Sequence, residues 1–107
     1  VRCSKGTSYT ISLSPKTGND NAGGGTMQAV KRGGITNTDT IPYELYKDSG
    51  RMNAWGDSGT NILTGQIGAG TAVSDAKKYP VYGRVLGTDL NKTPDRYADT
   101  VTVTVTY

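Results

Sequence analysis

The tetrapeptide Gly56-Asp57-Ser58-Gly59 sets a serine beside an acid, in the pattern trypsin-like proteases use to present a nucleophile. That chemistry needs an imidazole to take the serine proton. The 107 residues contain no histidine, so the four residues read as a glycine-rich turn. One cysteine and no histidine also rule out the usual zinc sites. Hard oxygen ligands for calcium are offered by Asn19-Asp20-Asn21 and by Asn37 and Asp39, but the spacing of an EF-hand loop is missing. Asn and Asp clusters of this kind make turns. Gly23-Gly24-Gly25-Thr26 has no Lys in the place a phosphate loop requires. Glu44 is the only Glu, and Asp48 and Asp57 both fall in turns, so no carboxylate pair for glycoside hydrolysis stands out. Asn91-Lys92-Thr93 fits a glycosylation sequon, which matters only in a host that uses it. The expectation is no catalytic residue, no bound metal and no cofactor.

Composition limits what can position any site. At 107 residues the chain is one domain with room for one modest core. Leu, Ile and Val number 18 and Phe is absent, but seven Tyr and one Trp add area to bury. Fifteen Gly and sixteen Thr favour short strands and turns over helix. Net charge is +3, with the basic residues scattered rather than gathered into a stripe, which argues against a nucleic-acid partner. No apolar run approaches the roughly 18 residues of a membrane span. The sequence opens on Val1 without a signal peptide, and is read as processed or partial. Cys3 is the lone cysteine: a buried thiol, an intermolecular link, or half of a pair whose partner lies elsewhere.

Alternation of apolar and polar residues dominates the chain. Tyr9, Ile11 and Leu13 mark one strand, and residues 14–25 a polar loop. A second strand is expected over Thr26–Arg32 and a third over Ile41–Tyr46, with Pro42 at a strand start or edge. Asp48-Ser49-Gly50 is a turn, Met52–Trp55 a short strand, and residues 60–76 are weakly patterned. Tyr79, Val81, Gly83 and Val85 form one face of a further strand.

The clearest segment is the last. Tyr97, Asp99, Val101, Val103, Val105 and Tyr107 share one face, and Thr100, Thr102, Thr104 and Thr106 the other. Eleven extended residues span roughly 35 Å, longer than an ordinary strand. The segment lacks Pro and Lys, which usually protect a sheet edge. It is therefore either central in its sheet or built to receive another strand. Six or seven short strands separated by turns predict an all-β sandwich.

An ordered set of segments carries a family likeness. It comprises Val1-Arg2-Cys3 followed by Gly6-Thr7-Ser8-Tyr9-Thr10, then Tyr43-Glu44-Leu45-Tyr46-Lys47-Asp48, Trp55-Gly56-Asp57, Val81-Tyr82-Gly83-Arg84, and the ending from Tyr97 to Tyr107. Together they resemble the spore coat protein U family, which includes the subunits of archaic chaperone–usher pili. The resemblance implies a secreted, incomplete immunoglobulin-like sandwich over residues 1–107, pilin-like and completed by a donated strand. A periplasmic chaperone fills the gap first, and the N-terminal segment of a neighbouring subunit fills it in the fibre. Residues 99–107 match the strand bordering that groove, which gives Asp99, Val101, Val103, Val105 and Tyr107 as contact residues. Family members carry a donor segment and a first strand ahead of the position of Val1, and that region usually holds a cysteine paired with the one matching Cys3.

The expected role is a structural, non-enzymatic subunit of an extracellular adhesive pilus or coat. It would pass through the periplasm and be joined to its neighbours by strand addition. The rival reading is a surface- or glycan-binding module at a fibre tip, with Trp55 and Tyr82 as presenting aromatics.

Overall fold

A computed structural model describes residues 1–107, the side chain of Val73 excepted. Seven strands form, in chain order β1 (Ser8–Pro15), β2 (Gly24–Ala29), β3 (Thr40–Tyr46), β4 (Leu63–Ile67), β5 (Tyr82–Arg84), β6 (Tyr97–Ala98) and β7 (Val101–Thr106). The only helical elements among the described residues are single 3-10 turns, and no helix is long and apolar enough to cross a membrane. The strands make two antiparallel sheets, one ordered β4-β1-β7 and the other β5-β3-β2-β6.

The inner face of β1 explains the core. Tyr9, Ile11 and Leu13 alternate with polar residues and are buried almost completely, meeting Leu45 of β3 and Trp55 between the sheets. Trp55 ties the two layers together. Its backbone N–H donates to Leu45 O in one sheet at 2.9 Å, and its indole N–H donates to Ile11 O in the other at 2.9 Å. The Gly56-Asp57-Ser58-Gly59 turn follows at once. Gly56 O accepts from Leu13 N, and Gly56 N donates to Asn61 O. The Asp57 carboxylate accepts from Ser14 Oγ and Asn19 Nδ2, and these bonds hold its pKa below the ordinary value.

Gly56 is required by close approach, since a Cβ there would lie 2.3 Å from Asn21 O. Gly56→Ala is expected to cost about 1–3 kcal/mol, because backbone, not a flexible side chain, must give way. Urea unfolding of the variant measures this, and an unchanged midpoint would refute it.

Several sequence expectations need correction. The ribbon predicted as one strand over Tyr97–Tyr107 is two strands in different sheets. β6 pairs with β2, β7 pairs with β1, and Asp99-Thr100 crosses between the layers. The alternation continues unbroken through the crossing, so periodicity could not reveal it. Met52–Trp55 is not a strand; Ala54 makes only a single bridge to Tyr46. The weakly patterned stretch 60–76 contains β4, whose pattern is obscured by Gly65 at φ 74° and by a register shift against β1. The strand expected over Thr26–Arg32 is displaced to Gly24–Ala29, and Arg32–Gly34 turns. The strand around Tyr79–Val85 shortens to Tyr82–Arg84.

Candidate functional site

Strand β7 has one neighbour. It pairs in regular antiparallel register with β1, matching Ile11 to Val105, Leu13 to Val103 and Pro15 to Val101. Opposed residues in a sheet share a face, so Val101, Val103 and Val105 point to the same interior as Ile11 and Leu13. Their exposures nonetheless diverge. Leu13 is 1% exposed, and Val103 directly beside it is 59% exposed. The interior face of β7 is thus left uncovered at its outer side.

The main chain of β7 divides in the same way. Lys16 N donates to Thr100 O at 2.7 Å, so the polar groups of Thr100 face β1. Successive residues of a strand direct their N–H and C=O to opposite sides. Thr102, Thr104 and Thr106 therefore bond β1, whereas the N–H and C=O of Val101, Val103 and Val105 point outward to no neighbouring strand. The missing N–H of Pro15 falls on the side away from β7, so that ladder loses nothing there.

The other edge strands are protected in ways β7 is not. β5 and β6 have three and two residues, and β4 is interrupted by the Gly65 bulge. β7 is six residues long, unbulged and free of charge.

Beside β7 a cleft of about 420 Å³ opens to solvent. Its buried floor is Ile11, Leu13 and Trp55, and Val103 contributes from β7. Tyr79 and Val81, which precede β5, line it as well, together with Lys77 and Lys78. Sequence reasoning placed Tyr79 and Val81 on a strand face and so missed them as cleft residues. Lys77 and Lys78 carried no signal beyond being adjacent. The Tyr79 hydroxyl bonds to Tyr9 and donates to Gln66 Oε1 at 3.0 Å, which fixes this wall on β1 and β4. Burial, followed by the bond to Tyr79, pushes the Tyr9 pKa up to about 12.

The remaining predicted residues fall elsewhere. Asp99 lies at the sheet crossing, away from the open edge. Its carboxylate accepts from Tyr43 Oη at 2.6 Å and from Thr17 N at 3.4 Å, so it pins the start of β7 rather than facing the cleft. Burial opposes its ionisation, but the bonds from Tyr43, Thr100 and Thr17 outweigh this and hold its pKa below the ordinary value. Burial, then the bond to Asp99, raises Tyr43. Tyr107 is 85% exposed and sits just past β7. Cys3 is half-buried and unpaired within the chain, and its carbonyl accepts from Gly70 N.

The surface role expected for Trp55 is overturned. It is 2% exposed and its indole N–H is consumed by Ile11. Tyr82 is half-buried in β5, opposite Tyr46. The residues considered for calcium make turns. Asp20 Oδ1 accepts from the N–H groups of Ala22 and Gly24, Asn37 Oδ1 from Asp39 N, and Asp39 from Thr93 N.

Asp99 supports a pH prediction. A carboxyl with a depressed folded pKa contributes stability above its unfolded pKa of about 3.9, and that contribution is lost as pH falls through the folded value. Asp99→Asn is therefore expected to be less stable than the parent at pH 7, with the difference shrinking toward pH 2. Thermal melts across that range check it, and parallel curves would contradict it.

A family model described as the Spore Coat Protein U domain matches residues 1–104. The chain belongs to the spore coat protein U domain family. The match covers nearly the whole sequence and agrees with the two-sheet architecture, an immunoglobulin-like sandwich of pilin type. The spore coat protein U family is one of structural pilus and coat subunits associated with the cell exterior, and it is not known for enzymatic activity. No curated protein matched the chain.

Proposed function

We propose that this protein is a non-enzymatic structural subunit of an extracellular adhesive pilus or coat, and that it assembles by strand addition at β7. An extended segment from a neighbouring subunit lies along the outer edge of β7 and seats alternate apolar side chains in the cleft. A periplasmic chaperone occupies the same place in transit. Main-chain hydrogen bonds to Val101, Val103 and Val105 supply affinity, and the alternating side chains set register. Cys3, in this reading, pairs with a cysteine outside the sequence described.

The observation that carries the reading is the contrast between Leu13 and Val103, two neighbours on one interior face at 1% and 59% exposure. Covering a side chain such as Val103 contributes about 1.5–3 kcal/mol, and pairing the outward groups adds about 0.5–1.5 kcal/mol per hydrogen bond. A donated strand gains both at once.

The test is assembly in cells that produce the chain with its secretion partners. The expected result is surface fibres or a coat layer labelled by antibody to the chain, and a ladder of multimers on unboiled gels that collapses to monomer on boiling. Secreted subunits that remain monomeric and never label a surface structure would refute the proposal.

A further inference from the structure

Strand addition fixes where an incoming segment lies, but leaves open what distinguishes a fitting segment from any other alternating one. Charge around the cleft supplies a criterion. Lys77 and Lys78 both line it, and no Asp or Glu does. Both are exposed, and neither has a carboxylate within ion-pair distance; the one ion pair among the described residues joins Arg84 to Glu44 on the other sheet. The Lys77 ammonium meets only neutral groups, the Gln66 amide oxygen at 3.2 Å and the Tyr79 ring at 5.3 Å. Lys78 makes no side-chain hydrogen bond among the described residues.

The register locates Lys77 on the sheet. Gln66, which binds Lys77, pairs with Tyr9. Tyr9 lies one step beyond the Thr10–Thr106 pair, level with Tyr107. Gln66 belongs to β4, across β1 from β7, so Lys77 stands on the cleft wall opposite the open edge, while Val103 marks the wall that the edge itself supplies.

Resting on the strand-addition reading, we propose that the segment this cleft accepts is an extended peptide with alternating apolar residues flanked by carboxylates. Filling the cleft removes water from around the two lysines, which strengthens their attraction for an opposite charge and penalises a segment bearing Lys or Arg there. The carboxylate thereby selects the sequence of the incoming strand.

The experiment measures binding of three nine-residue synthetic peptides to the protein. All share one Val/Thr alternating core, flanked by two Glu at the N-terminal end, by two Glu at the C-terminal end, or by Gln at both. At about 50 mM salt, where screening is weak, the acidic peptides are expected to bind roughly fivefold more tightly than the Gln peptide, the scale of two partly exposed pairs. The advantage is expected to fade at about 0.5 M salt, and Lys78→Glu is expected to abolish or reverse it. Lys78 has no side-chain hydrogen bond or ion pair to lose among the described residues, so its variant should fold, and Lys77→Gln gives a second measurement. Equal binding by all three peptides overturns the acidic-end proposal and leaves strand addition standing, as does an advantage that survives both variants. Failure of every peptide to bind overturns the cleft reading itself.

Discussion

Trp55→Ala is expected to lose about 3–5 kcal/mol of stability, the range for truncating a buried large aromatic side chain. Two losses combine. The indole fills the space between the sheets at 2% exposure, and its N–H is the partner of Ile11 O. Removal leaves a cavity beside an already open cleft and takes one hydrogen bond from Ile11 O in the core. The whole stability of a domain this size is about 5–15 kcal/mol, and this core has few other large side chains: the fully buried ones are Trp55, Ile11 and Leu13. The variant should unfold at a much lower urea midpoint and show little near-UV dichroism. A stable, folded Trp55→Ala protein that had lost only surface or glycan binding would reinstate the tip-adhesin reading.

Val103→Pro is expected to reduce strand addition by roughly a hundredfold while leaving the monomer folded. Val103 faces Leu13 across a pair that exchanges no hydrogen bonds, and its N–H points outward. Proline at that position removes a donor meant for the incoming strand, and its ring obstructs the approach of a backbone. The lost hydrogen bond and the impaired apolar contact together amount to about 3 kcal/mol, which at about 1.4 kcal/mol per tenfold is the stated factor. Thr104→Pro supplies the parity control. Thr104 pairs with Ser12 on the hydrogen-bonded side of the ladder, so its replacement should destabilise the fold itself. Two proline variants one residue apart with the same effect would contradict the assignment of inner and outer sides.

Much of this arrangement was legible in the residues. Tyr9, Ile11 and Leu13 alternate cleanly because β1 lies central in its sheet with one face on the core, and that pattern predicted both the strand and its burial. The Val/Thr ending was legible as a strand for the same reason. Its break at Asp99-Thr100 was not, because a strand that changes sheets keeps its alternation while its neighbours change. What marks the crossing is tertiary: Tyr43 and Thr17 converge on the Asp99 carboxylate from distant parts of the chain. The rival reading of Trp55 as a presenting aromatic fails on a point the sequence does not carry, since amphipathic side chains serve surface and core alike and only the position of Ile11 O decides. The cleft was legible on one side only. Val103 announced itself by pattern, whereas Tyr79 and Val81 reach the site through a bond network with Tyr9 and Gln66 that no local period encodes.

Amide hydrogen exchange along residues 101–106 reads the central claim residue by residue. In the free subunit, the N–H groups of Thr102, Thr104 and Thr106 should exchange slowly and those of Val101, Val103 and Val105 quickly; in the assembled fibre all six should be slow. Valine amides already protected in the free subunit, or still fast in the fibre, would contradict the account.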